Sequence, residues 1–236
     1  MPVSPETAAA APGVVVLIAA RNEADRIGRT CRALVEALPG ADLIVADDAS
    51  DDATAEVARA HGATVVTREN PVGKGGNMTA AATTVIDLAS QPGAPTYLLC
   101  DGDLGESAGE LRQLLDHVAA GECDLAIAAF RWRVGGGFGV ALRCARWAIR
   151  RRSGYEAGAP ISGQRALSPA AMRASFPFAA GYGMEIGITV DCVRAGLLVR
   201  EVELDLEHRA TGRSLRGFIH RGRQLRDFTR VYAAKR

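Results

Sequence analysis

The chain has 236 residues, 48% of them hydrophobic and 23% charged, enough to bury roughly 70–75% of its unfolded surface, which excludes a disordered or fibrous protein. Twenty-eight Lys and Arg against 27 Asp and Glu leave a formal charge of +1, so the global balance points neither to nucleic acid nor to a strongly acidic partner. The charge is unevenly spread: residues 209–236 hold nine basic groups and one acid, a net +8 against −7 for the rest.

Residues 1–12 read as a disordered leader. The apolar run at 14–20 (VVVLIAA) is far below the roughly 18 residues that cross a bilayer. The residues before it include Glu6 and no Lys or Arg, the wrong charge for a secretory signal. Five widely spaced cysteines with no C-x-x-C pair suggest neither a disulfide framework nor a zinc site, so a reducing, cytoplasmic setting is expected.

Short aliphatic runs at 14–20, 42–46, 63–67, 96–100 and 124–130 predict buried parallel strands. Between them fall helical stripes: Ile27, Cys31, Leu34, Val35 and Leu38; Met78, Ala82, Val85, Ile86 and Ala89; Leu111, Leu114, Leu115 and Val118. Residues 52–61 read as a short helix. This alternation predicts an α/β fold with a mostly parallel, doubly wound sheet in a single domain. The triple glycine at 135–137 precedes a basic amphipathic helix that carries Arg143, Arg146, Arg150, Arg151 and Arg152 and no acid. Residues 186–195 read as a helix, 197–206 as a strand and 215–234 as an Arg-rich helix. Residues 13–133 form a nucleotide-binding half and 134–236 an acceptor-side half of that domain.

Open parallel sheets bind ligands beyond the carboxyl ends of their strands, and there the chain is unusually polar. Arg21-Asn22-Glu23 follows the first strand and Asp47-Asp48-Ala49-Ser50 the second. Gly73-Lys74-Gly75-Gly76 comes after the third and Asp101-Gly102-Asp103 after the fourth. Helix capping explains some of these residues taken singly. Two carboxylates one residue apart in a turn suit Mg²⁺ or Mn²⁺, whose shell substrate phosphates complete. His208, after the run VELDLEH, is a candidate nitrogen ligand that would favour Mn²⁺. Lys74 is one of only two lysines and lies in a glycine-rich turn ahead of a helix, a cradle for phosphate. The loop is not a Walker A motif, because Gly follows Gly-Lys, and no G-x-G-x-x-G follows the first strand. Asp48 and Glu23 suit hydrogen bonds from a base or ribose. Gly158-Ala-Pro-Ile-Ser-Gly-Gln-Arg165 and Gly181-Tyr-Gly-Met-Glu-Ile-Gly187 permit close backbone approach to a ligand. Glu185 either caps a helix or binds a substrate hydroxyl.

Taken together, A-A-R-N-E, D-D-A-S-D-D-A-T, N-P-V-G-K-G-G and D-G-D-L resemble, in order and spacing, the glycosyltransferases of the GT-A fold in family 2. The run from S-G-Q-R-A through G-Y-G-M-E-I-G to E-H-R-A-T-G-R is similar to glucosyl-3-phosphoglycerate synthases, and the nucleotide half also to polyprenyl-phosphate transferases of the dolichyl-phosphate mannose synthase type. The resemblance spans residues 13–228. It implies a nucleotide-diphospho-sugar donor (UDP- or GDP-sugar) held by Ala19, Arg21, Glu23, Asp48, Lys74, Asp101 and Gly102. It implies Mg²⁺ or Mn²⁺ on Asp101, Asp103 and His208, with Asp103 and Glu185 as catalytic residues and Glu185 at the donor sugar.

Ser162, Gly163, Gln164 and Tyr182 are the acceptor-side residues, for a small-molecule or lipid-phosphate acceptor. The basic helices suit a peripheral contact with the inner face of a membrane, and a homodimer is a further expectation. Two rivals are a sugar-phosphate nucleotidyltransferase, which needs a Gly-rich basic loop that A-A-R-N-E-A-D lacks, and a non-catalytic nucleotide-sugar-binding module.

Overall fold

The computed structural model describes residues 13–130 and 139–206. The leader, the triple glycine, His208 and the basic C-terminal run lie outside them. Strands β1 (Val14–Ala20), β2 (Asp42–Asp47), β3 (Thr64–Thr67), β4 (Thr96–Asp101), β5 (Leu125–Phe130), β6 (Arg165–Leu167) and β7 (Val199–Leu204) form a seven-stranded sheet ordered β3-β2-β1-β4-β6-β5-β7. All pairings are parallel except those of β6, which runs antiparallel between β4 and β5. The helices are α1 (Ile27–Ala37), α2 (Thr54–Ala60), α3 (Lys74–Thr83), α4 (Arg112–Ala119), α5 (Val140–Ser153), α6 (Pro169–Ser175) and α7 (Met184–Arg194).

Alternation along β1 sends its side chains to two cores, one on each face. Val16, Ile18 and Ala20 meet Ile27, Cys31 and Leu34 of α1 with Leu111 and Leu114. Val15 and Leu17 meet Met78 and Ala81 of α3 and Met184 and Ile188 of α7. Burial of each such aliphatic side chain contributes about 1.5–3 kcal/mol, so α1 and α3 are held to opposite faces by the stripes visible in their sequences.

Three elements differ from expectation. The helix predicted through Ala89 ends at Thr83, and a 3-10 turn covers Ile86–Ser90. Thr83 and Thr84 donate their hydroxyls to the carbonyls of Thr79 and Ala81, and this β-branched stretch (Thr83, Thr84, Val85) weakens continuation of the helix. Strand β6 and helix α6 were not anticipated. Three residues show no period, but the helix start was legible: Ser168 accepts the N–H of Ala171 at 3.2 Å and Pro169 takes the first helical position.

Candidate active site

Strand register places the site. Ala19 lies opposite Asp101 across β1–β4, and Ala20 opposite Asp47 across β1–β2, so three carboxyl ends finish level. The N–H groups of Gly102 and Asp48 extend the ladder by bonding the carbonyls of Ala19 (2.8 Å) and Ala20 (3.0 Å).

The turn carrying Asp101 and Asp103 is pinned by α1. Thr30 donates its hydroxyl to the Gly102 carbonyl and accepts the Gly105 N–H, both at 2.9 Å, and Arg26 donates to the Asp103 carbonyl at 3.1 Å. A Cβ on Gly102 would stand 3.0 Å from Ile27 Cδ1, so the residue between the aspartates is small because α1 packs against it.

The loops after β1 and β2 hold one another. Asn22 N–H donates to Ser50 Oγ (2.9 Å), Asp51 N–H to Asn22 Oδ1 (2.8 Å) and Glu23 N–H to Thr54 Oγ1 (2.8 Å). Asn22 and Ala49 both have φ of 56°, left-handed backbone that costs energy in non-glycine residues and concentrates at ligand-binding edges. Arg21 is exposed at this rim. Asp48 accepts the N–H groups of Val72 (2.8 Å) and Gly73 (3.0 Å), which anchors the glycine-rich loop to the end of β2.

That loop makes a close approach to the second glycine motif. Gly73 sits with its Cβ position 3.6 Å from Gly181 Cα, and a Cβ on Gly75 would run into the carbonyl of Ala179. Two glycine clusters a hundred residues apart thus serve one contact, between the start of α3 and the turn Gly181–Gly183, which contains Tyr182.

The contact aims Lys74 at the carboxylates. Its ammonium lies 2.5 Å from Asp101 Oδ1 and 3.0 Å from Glu185 Oε1, in the first turn of α7. Burial opposes the charge, but Asp101 and Glu185 outweigh it and hold Lys74 well above the ordinary lysine value. From the other side, Gln164 donates to Asp101 Oδ2 at 2.9 Å and accepts from Ser162 Oγ at 3.2 Å. A Cβ on Gly163 would meet the Lys74 ammonium and stand 2.7 Å from Asp101 Oδ2.

The structure therefore brings together Lys74, Asp101, Glu185, Ser162, Gly163 and Gln164. Ala19, Gly102 and Asp103 lie along the same strand edge, and Arg21, Glu23 and Asp48 on the adjoining loops. Sequence reasoning missed Thr30 and Arg26, which carry no motif, and Arg165, which is fully buried. Burial draws the Arg165 guanidinium down to about 10, against the opposing pull of Glu185, and it stays charged at neutral pH.

The residues fit a hard divalent cation. Asp101 already holds a cationic group at one oxygen, and two carboxylates on one fixed turn are what Mg²⁺ or Mn²⁺ takes from a protein when phosphate oxygens supply the remainder. Among the described residues no group of three or more His, Cys, Asp or Glu side chains is placed to hold a metal ion.

Residues 15–159 match the family model for Glycosyl transferase family 2. The chain superposes on glucosyl-3-phosphoglycerate synthase from Mycobacterium tuberculosis in complex with Mn²⁺, UDP-glucose and glycerol 3-phosphate with a TM-score of 0.71, at 28% identity over 95% of this chain and 80% of that one. The same enzyme with Mg²⁺ and UDP gives a TM-score of 0.71 at 28% identity, covering 94% of this chain and 80% of that one. A shorter likeness, 45% identity over 53 residues, links 22% of the chain to 14% of the length of 4,4'-diaponeurosporenoate glycosyltransferase from Staphylococcus aureus (strain USA300). With a family match over more than half its length, on a sheet whose ligand edge carries the aspartate pair and its lysine, the chain belongs to glycosyl transferase family 2.

Proposed function

We propose that the protein is a metal-dependent glycosyltransferase that moves a sugar from a nucleotide-diphospho-sugar, a UDP- or GDP-sugar, to a phosphate-bearing acceptor. The observation that carries the reading is the convergence of Lys74, Asp101 and Glu185 beside the Asp101-Gly102-Asp103 turn. Asp101 and Asp103 are the ligands for Mg²⁺ or Mn²⁺, with His208 as the third from sequence. When bound, the metal supplies Lewis-acid neutralisation of the diphosphate leaving group.

The chain's own residues do the rest. Lys74 sits beside Asp101 with its charge secured, ready to donate to diphosphate oxygens as negative charge builds there. Glu185 is buried and tied to Lys74, placed to accept from a sugar hydroxyl, or from the acceptor hydroxyl as base in an inverting reaction. The knitted loops bearing Arg21, Glu23 and Asp48 form the base and ribose side. Ser162, Gly163, Gln164 and Tyr182 form the acceptor side.

An anionic acceptor is supported by the outer stripe of α5, where Arg143, Trp147, Arg150 and Arg151 are exposed. A shallow surface cleft lined by Trp147, Arg150 and Arg151 sets an aromatic face beside guanidinium groups suited to phosphate, with Arg150 also paired to Glu156 at 3.3 Å. A soluble three-carbon phosphate, as in the mycobacterial complex, and a lipid phosphate at a membrane face share this chemistry. Among the described residues no helix is long and apolar enough to cross a membrane, and the stripe suits a peripheral contact. A homodimer remains part of the proposal.

The test is transfer from UDP-glucose with Mn²⁺ to glycerol 3-phosphate in solution, run beside polyprenyl phosphate in vesicles. Product in either arm that disappears on chelation supports the reading and selects the acceptor. Absence of both product and metal-dependent nucleotide binding, with UDP and GDP sugars alike, overturns it.

A further inference from the structure

The segment between α5 and β6, from Tyr155 to Gly163, has little regular structure, yet its backbone is gripped by side chains from three elements. Arg146 of α5 donates Nε to the Ala157 carbonyl at 3.1 Å and Nη2 to the Gly158 carbonyl at 2.8 Å. Glu201 of β7 accepts the Gly158 N–H at 2.8 Å and the Ala159 N–H at 3.0 Å, one on each carboxylate oxygen. Arg165 of β6 donates to the Ser162 carbonyl and to Thr189 Oγ1, both at 2.8 Å, and Thr189 donates to the Glu185 carbonyl at 3.0 Å. The far end of the segment lies against the carboxylate that the transferase reading assigns to the metal, through Gly163 and the 2.9 Å bond from Gln164 to Asp101.

An ordinary surface glutamate on an edge strand hydrates its carboxylate. Glu201 instead receives two consecutive N–H groups in charge-assisted bonds, and its carboxylate lies where a Cβ on Gly158 would stand, so a side chain there would have to displace it. Arg146 takes the carbonyls of Ala157 and Gly158, so both peptide units that flank Gly158 are held on their donor and acceptor sides.

We propose that Glu201 is a positioning residue for the metal carboxylate. With Arg146 opposing it, Glu201 sets where the Tyr155–Gly163 segment stands, and the segment fixes the orientation of Asp101 through Gln164 and the close approach of Gly163. The inference rests on the transferase reading, since it takes Asp101 as a ligand. The loops after β1 and β2 are held by their own hydrogen bonds, so the clamp acts on the metal side of the donor site and leaves the base and ribose side alone.

The experiment is calorimetric binding of UDP, or of GDP where that is the nucleotide bound, with and without Mn²⁺, beside amide hydrogen exchange of residues 157–159. In Glu201→Ala the 158 and 159 amides exchange faster and Mn²⁺-dependent binding weakens by about 10-fold, the lower end of what losing a group that directly orients a metal ligand costs, since Glu201 acts through the segment and Gln164. Metal-free nucleotide binding stays within about twofold. Glu201→Gln, which keeps one acceptor oxygen, falls between wild type and Glu201→Ala, and Arg146→Ala shifts in the same direction. Arg200→Ala, on the same strand and paired at 2.5 Å with Glu122, leaves all of these unchanged.

Should Glu201→Ala fail to fold, Glu201→Gln and Arg146→Ala decide the question. Faster exchange with unaltered Mn²⁺-dependent binding overturns the positioning role, as does an equal loss with and without metal. A wild type that binds neither nucleotide with Mn²⁺ removes the transferase reading, and this inference with it, before any variant is compared.

Discussion

The ammonium of Lys74 stands 2.5 Å from Oδ1 of Asp101, in the place where a cation bound to that carboxylate would exert its charge. In the proposed mechanism Lys74 balances Asp101 while the donor is absent and would compete with a free metal ion for it. A nucleotide diphosphate would offer Lys74 other oxygens and relieve that competition, which on this proposal couples metal binding to nucleotide binding.

Lys74→Met is therefore expected to have two opposite effects. Turnover falls by about 10²-fold or more, as when a preorganised donor to developing charge is lost, while Mn²⁺ alone binds several-fold more tightly because its competitor has gone. Electron paramagnetic resonance of free Mn²⁺ reads the second effect directly. Unchanged or weaker Mn²⁺ binding in the variant contradicts the stand-in role.

Adjacent glycines separate packing from propensity. Gly75→Ala forces a methyl into the Ala179 carbonyl, and the resulting shift of α3 should cost about 1–3 kcal/mol in urea unfolding. Gly76→Ala meets only the Val72 side chain, at 3.3 Å, and removes a helical glycine, so it should be neutral or stabilising by up to about 1 kcal/mol. Equal effects at the two positions would show that the start of α3 does not press on the Gly181 turn.

Gly163→Ala tests the other wall of the site. Its methyl would displace a carboxylate oxygen of Asp101 and the Lys74 ammonium together. The expected result is at least a 10-fold fall in Mn²⁺-dependent nucleotide binding, with a melting temperature lowered by only a few degrees. Normal metal dependence in this variant would place the cation away from Asp101 Oδ2.

Alkaline stability follows from buried groups that keep their protons. Burial pushes the thiol of Cys31 from 9.0 up to about 11 and that of Cys192 up to about 12, and burial with Glu201 alongside pushes Tyr155 from 10.0 up to about 12. The unfolded chain ionises these groups at their ordinary values, so above pH 9 it releases protons that the folded chain retains. Their stabilising contribution is complete below about pH 9 and is lost as pH rises towards 11–12. Thermal melts from pH 7 to 11 should show this decline. At pH 8 a thiol reagent should find Cys144 first, since the other four cysteines are buried.

Much of the site was legible because it sits on elements with strong local signals. Aliphatic strands ending in charge mark the ligand edge, and the aspartate pair, Asp48 and the glycine-lysine turn follow directly. Glu185 was legible as a buried acid in an apolar run, but its partner Lys74 was not, since 111 positions separate them and only the packing of Gly73 and Gly75 against the Gly181 turn joins the two. Strand β6 escaped notice because three residues have no period, and Arg165 stood out only as the end of a glycine-punctuated segment, since its carbonyl and hydroxyl partners leave no trace in the sequence. Glu201 looked like one more acid in V-R-E-V-E-L, because bonds to the backbone of a distant loop leave no trace in spacing.

In the proposed mechanism Asp101 and Asp103 bind a divalent metal together with a nucleotide diphosphate. The most direct test is calorimetric titration of UDP and GDP into wild type and Asp103→Ala, each with and without Mn²⁺. One nucleotide is expected to bind wild type at least 10-fold more tightly with Mn²⁺, and Asp103→Ala to lose this gain while keeping its metal-free affinity. Mn²⁺ enhancement of equal size in Asp103→Ala, or nucleotide binding indifferent to Mn²⁺ in wild type, would contradict it.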